Sequence, residues 1–187
     1  MTKTLPDVPK WARIAAHATV LATLPSGLWR IAMGLQIPVG FTEKGLAEFS
    51  IPGWGVLYVF GLSLFAEALA FLTLGLIRPW GEVWPRWIPF LRGRAIPPLV
   101  AIVPAAAGAI ALTLIITPGA FRWADAGITL VPGTREDSVF FDVVMAVCYA
   151  PLLLWGPLLA VVTAHYAWRR LSGKRAQHTL EPLGGRA

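Results

Sequence analysis

The sequence predicts an all-α protein: a four-helix transmembrane bundle with both termini on the cytoplasmic side. Three observations carry this reading. The chain is 56% apolar, with a mean hydropathy of +0.64. Only 14% of its 187 residues are charged, where a soluble domain carries about a quarter, which excludes a water-soluble globule and a disordered chain. Finally, its apolar residues gather into four runs of the roughly 20 residues that cross a bilayer core as helix.

The first run, from Ile14 to Ile37, follows Lys3, Lys10 and Arg13. It is too long for the apolar stretch of a secretory signal and has no small-residue cleavage site after it, so it reads as a retained span. The second runs from Trp54 to Ile77, the third from Ile96 to Thr117 and the fourth from Val139 to Trp168. Between them Pro38 to Gly53, Arg78 to Ala95 and Pro118 to Ser138 are dense in Gly, Pro and charge, as loops are. Residues 1–170 form one membrane domain, and 171–187 read as a disordered basic cytoplasmic tail. Pro25, Pro104, Pro151 and Pro157 fall inside spans and should kink or loosen them. Ala105 to Ala109 gives the third span a smooth face for close helix packing.

Charge placement orients the spans. Lys3, Lys10, Arg13, Arg78, Arg86, Arg92, Arg94, Arg169, Arg170, Lys174, Arg175 and Arg186 fall on one side, and only Lys44, Arg122 and Arg135 on the other. Lys and Arg mark the cytoplasmic face. Acidic residues mirror them: Glu43, Glu48, Asp125, Glu136, Asp137 and Asp142 lie outside, and Asp7, Glu82 and Glu181 inside. The pI near 10 is therefore a topology signal and not a nucleic-acid footprint. Eight of the nine Trp fall near an interface, and only Trp155 is deep. With the single Cys148, neither a disulfide nor a Cys-based metal site can form within the chain.

Arg30 and Glu67 are the charged residues well inside spans, where each needs a partner or water. Register decides whether they meet. If Ile37 pairs with Ile51 across the first hairpin, Arg30 lies level with Tyr58 and Glu67 is about 13 Å deeper. If the first span continues to Phe41 and the second starts near Gly55, Arg30 lies level with Ala66, beside Glu67. Asp142, one turn into the fourth span, is the rival partner within snorkelling reach. An Arg30–Glu67 pair could be a proton or ion relay, or an ion pair that pins helix register.

His17 and His165 fall at similar depth on the first and last spans, which are often neighbours in such bundles. Two opposed imidazoles can ligate a haem iron; interfacial histidines bonded to headgroups are the plainer alternative. Gly61-Leu62-Ser63-Leu64-Phe65 superficially resembles a nucleophile turn, but it lacks the second Gly and has no His at its depth. No metalloprotease, phosphate-loop or dinucleotide motif occurs, and no cofactor is implied. With no nucleophile, base and orienting group to name together, enzymatic function is disfavoured.

The loop from Arg78 to Arg94 combines Arg78, Arg86, Arg92 and Arg94 with Trp80, Trp84 and Trp87. Such a segment suits the inner headgroup layer, with guanidinium groups on anionic lipid phosphates. The runs Leu24-Pro25-Ser26-Gly27-Leu28-Trp29-Arg30, Arg78-Pro79-Trp80-Gly81-Glu82 and Pro85-Arg86-Trp87-Ile88-Pro89 resemble a group of small four-span bacterial membrane proteins of unassigned activity. The resemblance covers about residues 20 to 170. It implies topology and a bacterial cytoplasmic membrane, and carries no catalytic residue. Three readings follow: a non-enzymatic accessory or regulatory component whose partners are the bilayer, anionic headgroups and a second copy or another membrane protein; a small oligomeric proton-coupled transporter using Arg30 and Glu67; and a haem-carrying anchor using His17 and His165.

Overall fold

The computed structural model describes residues 4, 5, 7–84, 93–126, 135, 136 and 138–180, with side chains described to 121 in the third long helix and to 172 in the last. Every regular element among them is helical; extended backbone meets only in isolated bridges, Phe41 with Arg135 and Val83 with Ala95. Three stretches are long and apolar enough to cross a membrane: Trp54–Ile77, Pro98–Phe121 and Val139–Ser172.

Helix α1, Lys10–Gly34, starts directly after Pro9 and ends where Gln36 turns left-handed at φ 59°. Its 25 residues span about 37 Å, and Pro25 does not break it. Its inward face is small: Ala12, Ala16, Thr19, Thr23 and Ser26 are all but fully buried, at spacings of three and four residues. The hydroxyls of that face donate to carbonyls of their own helix: Thr19 to Ala15 at 2.9 Å, Thr23 to Val20 at 2.8 Å and Ser26 to Thr23 at 2.9 Å. They therefore present no unmet donor to a neighbour, and backbones can approach closely.

The link to the second span is not the plain loop expected. It holds α2, Glu43–Glu48, capped by Thr42, whose side chain accepts the Gly45 N–H at 3.2 Å. Helix α3, Trp54–Leu72, tightens into a 3-10 turn, Thr73–Ile77, that is buried throughout. There Gly75 receives the Trp80 indole, and Gly81 lies so close to the Gly75 carbonyl that any Cβ would overlap it. Trp80 also stacks on Phe71 at 5.9 Å.

Helix α4, Pro98–Ala126, begins with Pro at its first position, where the missing N–H costs nothing, and contains Pro104 and Pro118. It runs nine residues past the expected end at Thr117. Proline inside a membrane helix is tolerated where neighbours or local adjustment satisfy the freed groups. Helix α5, Val139–Tyr149, passes through a 3-10 turn, Ala150–Leu154, into α6, Trp155–Leu180. The expected fourth span is thus one path that tightens at Pro151, which lacks an N–H and excludes the carbonyl four residues earlier. The α6 backbone stays helical to Leu180, through the first ten residues of the segment read as a disordered tail. Extending an existing helix costs far less than nucleating one, and no Pro intervenes before Pro182.

The long helices pack in the order α3, α1, α6, α4; α1 also touches α5, while α3 and α4 make almost no contact with each other. One core cluster lies at the end where α1 begins and α6 runs past Tyr166, around Ala12, Ala16, Leu74, Ile77, Val162 and Tyr166. A second, around Trp29, Met33, Ile51, Val59 and Met145, lies at the opposite end. Helix α4 is held mainly by α6, where Gly156 sits directly against Thr113 and the Ala109 carbonyl.

Because a Cβ at Gly156 would overlap Thr113 Oγ1, Gly156→Leu is expected to destabilise the fold by about 1–3 kcal/mol through overpacking. A lower thermal midpoint in detergent would register this. Gly61→Leu, where a Cβ meets nothing within 4 Å, should leave the midpoint nearly unchanged.

Candidate functional site

Arg30, Ser63 and Glu67 lie where α1 faces α3. Gly34 packs on Val59, Arg30 lies level with Ser63, and Gly27 lies level with Glu67. This register falls between the two alternatives drawn from the sequence, because α2 and its flanking turns take up the connection. Arg30 Nε donates to Ser63 Oγ at 3.0 Å, and Ser63 Oγ donates in turn to the Val59 carbonyl at 2.7 Å. The Arg30 guanidinium also lies over the Tyr149 ring, 5.9 Å from its centroid, a geometry in which the ring quadrupole attracts the cation.

Glu67 sits one helical turn away from this contact. Its Oε1 is buried and has no hydrogen-bond donor among the described residues. A Cβ at Gly27 would lie 3.7 Å from that oxygen, so the missing side chain at Gly27 makes room for the carboxyl. Among the described residues neither Glu67 nor Asp142 comes within ion-pair distance of Arg30.

Asp142 is held instead by Arg135, at 2.6 Å. The Arg135 side chain is only 4% exposed; it donates to Met145 Sδ at 2.9 Å and lies 5.6 Å over the Phe41 ring. With the Glu136 N–H on the Gly40 carbonyl at 3.1 Å, this closes the end of the bundle opposite the termini. In the sequence Arg135 registers only as a loop charge.

At the terminal end the chain makes a second polar lock that the sequence reading did not single out. Arg169 donates to Glu82 at 2.7 Å and to the Leu76 carbonyl at 3.5 Å. Arg170 donates to the Ile96 carbonyl at 3.0 Å and lies 3.8 Å from the other Glu82 oxygen. The Ile96 N–H returns to the Glu82 carbonyl at 2.8 Å. Two α6 arginines thereby tie the end of α3 to the start of α4. The available signal was Glu82 as the lone acid among four loop arginines, facing an Arg-Arg pair that leaves the fourth span.

The expected headgroup loop is partly integrated into the fold. Trp80 is packed on Gly75 and Phe71, and the Trp84 N–H donates to the Arg94 carbonyl while the Trp84 carbonyl accepts the Gly93 N–H. Arg78 is half-buried and its Nε has no partner among the described residues. Arg86, Trp87 and Arg92 lie outside the described residues.

The two histidines are not brought together. His17 is exposed, with Nδ1 2.7 Å from the Arg13 carbonyl, in a groove with Lys10, Ile14 and Leu21. His165 packs edge-on to Trp11 at 5.2 Å, in a different groove with Asp7 and Trp168. Among the described residues no three His, Cys, Asp or Glu side chains gather as a metal site requires.

Comparison with protein families, curated proteins and solved structures returns no match for the chain.

Both Glu82 carboxylate oxygens face guanidinium groups, and the partners are at most 23% exposed. Glu82→Gln is therefore expected to cost about 1.5–3 kcal/mol, the range for hydrogen bonds to charged groups. Faster proteolysis of the Arg78 to Ala95 segment, together with a lower thermal midpoint, would check it.

Proposed function

We propose that the chain is a four-span integral membrane protein of the bacterial cytoplasmic membrane, with both termini cytoplasmic, acting as a non-enzymatic accessory or regulatory component. The observation that carries the span count is the position of α1, which packs along α3 on one side and α6 on the other. A helix about 37 Å long, lodged between two apolar spans, shares their depth. The orientation rests on the basic residues near the end that holds the termini. The membrane assignment agrees with the resemblance carried by the Leu24 to Arg30 and Arg78 to Glu82 runs.

Topology reporters test this reading. A fusion after Ser50 should report outside and one after Arg94 inside; a cytoplasmic signal after Ser50 would remove α1 from the span count.

The orphaned Glu67 Oε1 favours a second reading, a small proton-coupled unit in which Glu67 takes up and releases the proton and Arg30 supplies the compensating charge. In reconstituted vesicles, Glu67→Gln should abolish proton flux followed with a pH-sensitive dye while leaving folding intact. Unchanged flux, or no flux from the native protein, sinks the relay.

A further inference from the structure

An open groove of about 670 Å³ lies where the start of α1 meets α6. Trp11 of α1 and His165 and Trp168 of α6 line it, together with Asp7 from the turn that precedes α1. The three rings form a continuous set. His165 stands edge-on to Trp11, with ring centroids 5.2 Å apart at 84°, and lies 6.5 Å from Trp168 at 44°. Packing does not consume either indole, since Trp11 is 49% and Trp168 69% exposed. Asp7 is exposed as well and makes no ion pair among the described residues.

The charges around this groove are sorted by sign. Among the described residues no Lys or Arg lines it. Lys10, Arg13 and His17 line a separate groove on α1. Arg169, one turn beyond His165, is turned onto Glu82, the Leu76 carbonyl and the Tyr166 ring. What the groove offers is aromatic surface beside one carboxylate, at an otherwise basic end of the bundle. A single interfacial indole is an ordinary headgroup-level anchor; here rings from two helices converge next to an unpaired acid. An indole face attracts a cation through its quadrupole, and aromatic clusters of this kind recognise organic ammonium ions. A metal ion would find only one carboxylate, where calcium takes six to eight oxygen ligands. Along α6 the lining continues over Ala164 to Val161, about 10 Å of helix toward the middle of the span.

We propose that this groove binds the ammonium group of a lipid headgroup, seated against Trp11, Trp168 and Asp7, with the attached chains running over Ala164 and Val161. Phosphatidylethanolamine carries such a group. The rings and the carboxylate select the cation, and the apolar continuation along α6 selects a ligand anchored in the bilayer. The lipid source rests on the membrane reading above, which the topology fusions test separately; the affinity for ammonium is measurable without it.

The experiment uses the full-length protein in a maltoside detergent, which carries no ammonium group. Choline and the uncharged alcohol in which carbon replaces its nitrogen are titrated and followed by saturation-transfer NMR. Choline should bind about fivefold more tightly, the effect of an exposed cation–π contact. Trp11→Leu, which keeps an apolar side chain and removes the indole, should lose that advantage. Should Trp11→Leu fail to fold, Trp168→Leu, at the more exposed position, takes its place with the same expected loss. Native mass spectrometry then measures the ratio of phosphatidylethanolamine to phosphatidylglycerol retained from an equal mixture with identical chains. The tryptophan variant should lower that ratio about fivefold relative to the native protein, since the basic surface that attracts phosphatidylglycerol is the same in both. Equal binding of choline and its uncharged counterpart by the native protein overturns the ammonium site, as does an undiminished choline advantage in the folded variant. A choline advantage that depends on the tryptophan, with a lipid ratio that does not, overturns the lipid as the source and assigns the groove to a soluble amine.

Discussion

The bundle depends on how closely α1 approaches its two neighbours. In a bilayer, apolar side chains gain nothing by leaving lipid for protein, so helices associate through close packing and polar contacts. The small face of α1, from Ala12 through Thr19 and Ser26 to Gly34, supplies the packing. Its hydroxyls are turned back onto their own helix, so the approach leaves them satisfied. Once Gly34 is seated on Val59, the depth of every residue on α3 is fixed relative to α1. That seating puts Ser63 under Arg30 and Glu67 beside Gly27, and it leaves α6 the opposite flank of α1.

Charge is treated differently along the bundle axis. At each end an arginine is drawn inward and met by an acid, Arg135 by Asp142 and Arg169 by Glu82. The Arg169 lock joins segments 87 residues apart in the chain and the Arg135 pair is local, and both place carbonyl, sulfur or ring partners around the guanidinium. In the interior the arrangement reverses. Arg30 is served by a hydroxyl and an aromatic face, while the nearby carboxyl oxygen of Glu67 has no donor among the described residues.

The all-helical class was legible in the sequence, and so were three apolar stretches long enough to cross a membrane. The apolar runs mark the long helices. Arg30 and Glu67 stood out because charge is rare in such surroundings. Their actual relation was not readable, since it depends on how α2 and its flanking turns take up the first connection, and nothing in the spacing announces the Thr42 cap. Pro118 invited an early end to the third helix, although proline there is compatible with continued helix. The Glu82 lock was hidden for a different reason: its partners lie 87 and 88 residues along the chain, and topology alone accounted for each of those arginines.

The peripheral place of α4 bears on the order in which the bundle can assemble. As the chain is made, α1 and α3 appear early and can close on each other through Gly27 and Gly34. Helix α4 follows α3 in sequence yet hardly touches it, and its main partner, α6 with Gly156, comes later in the chain. The most exposed of the three long apolar stretches is therefore also the one whose docking surface is synthesised after it.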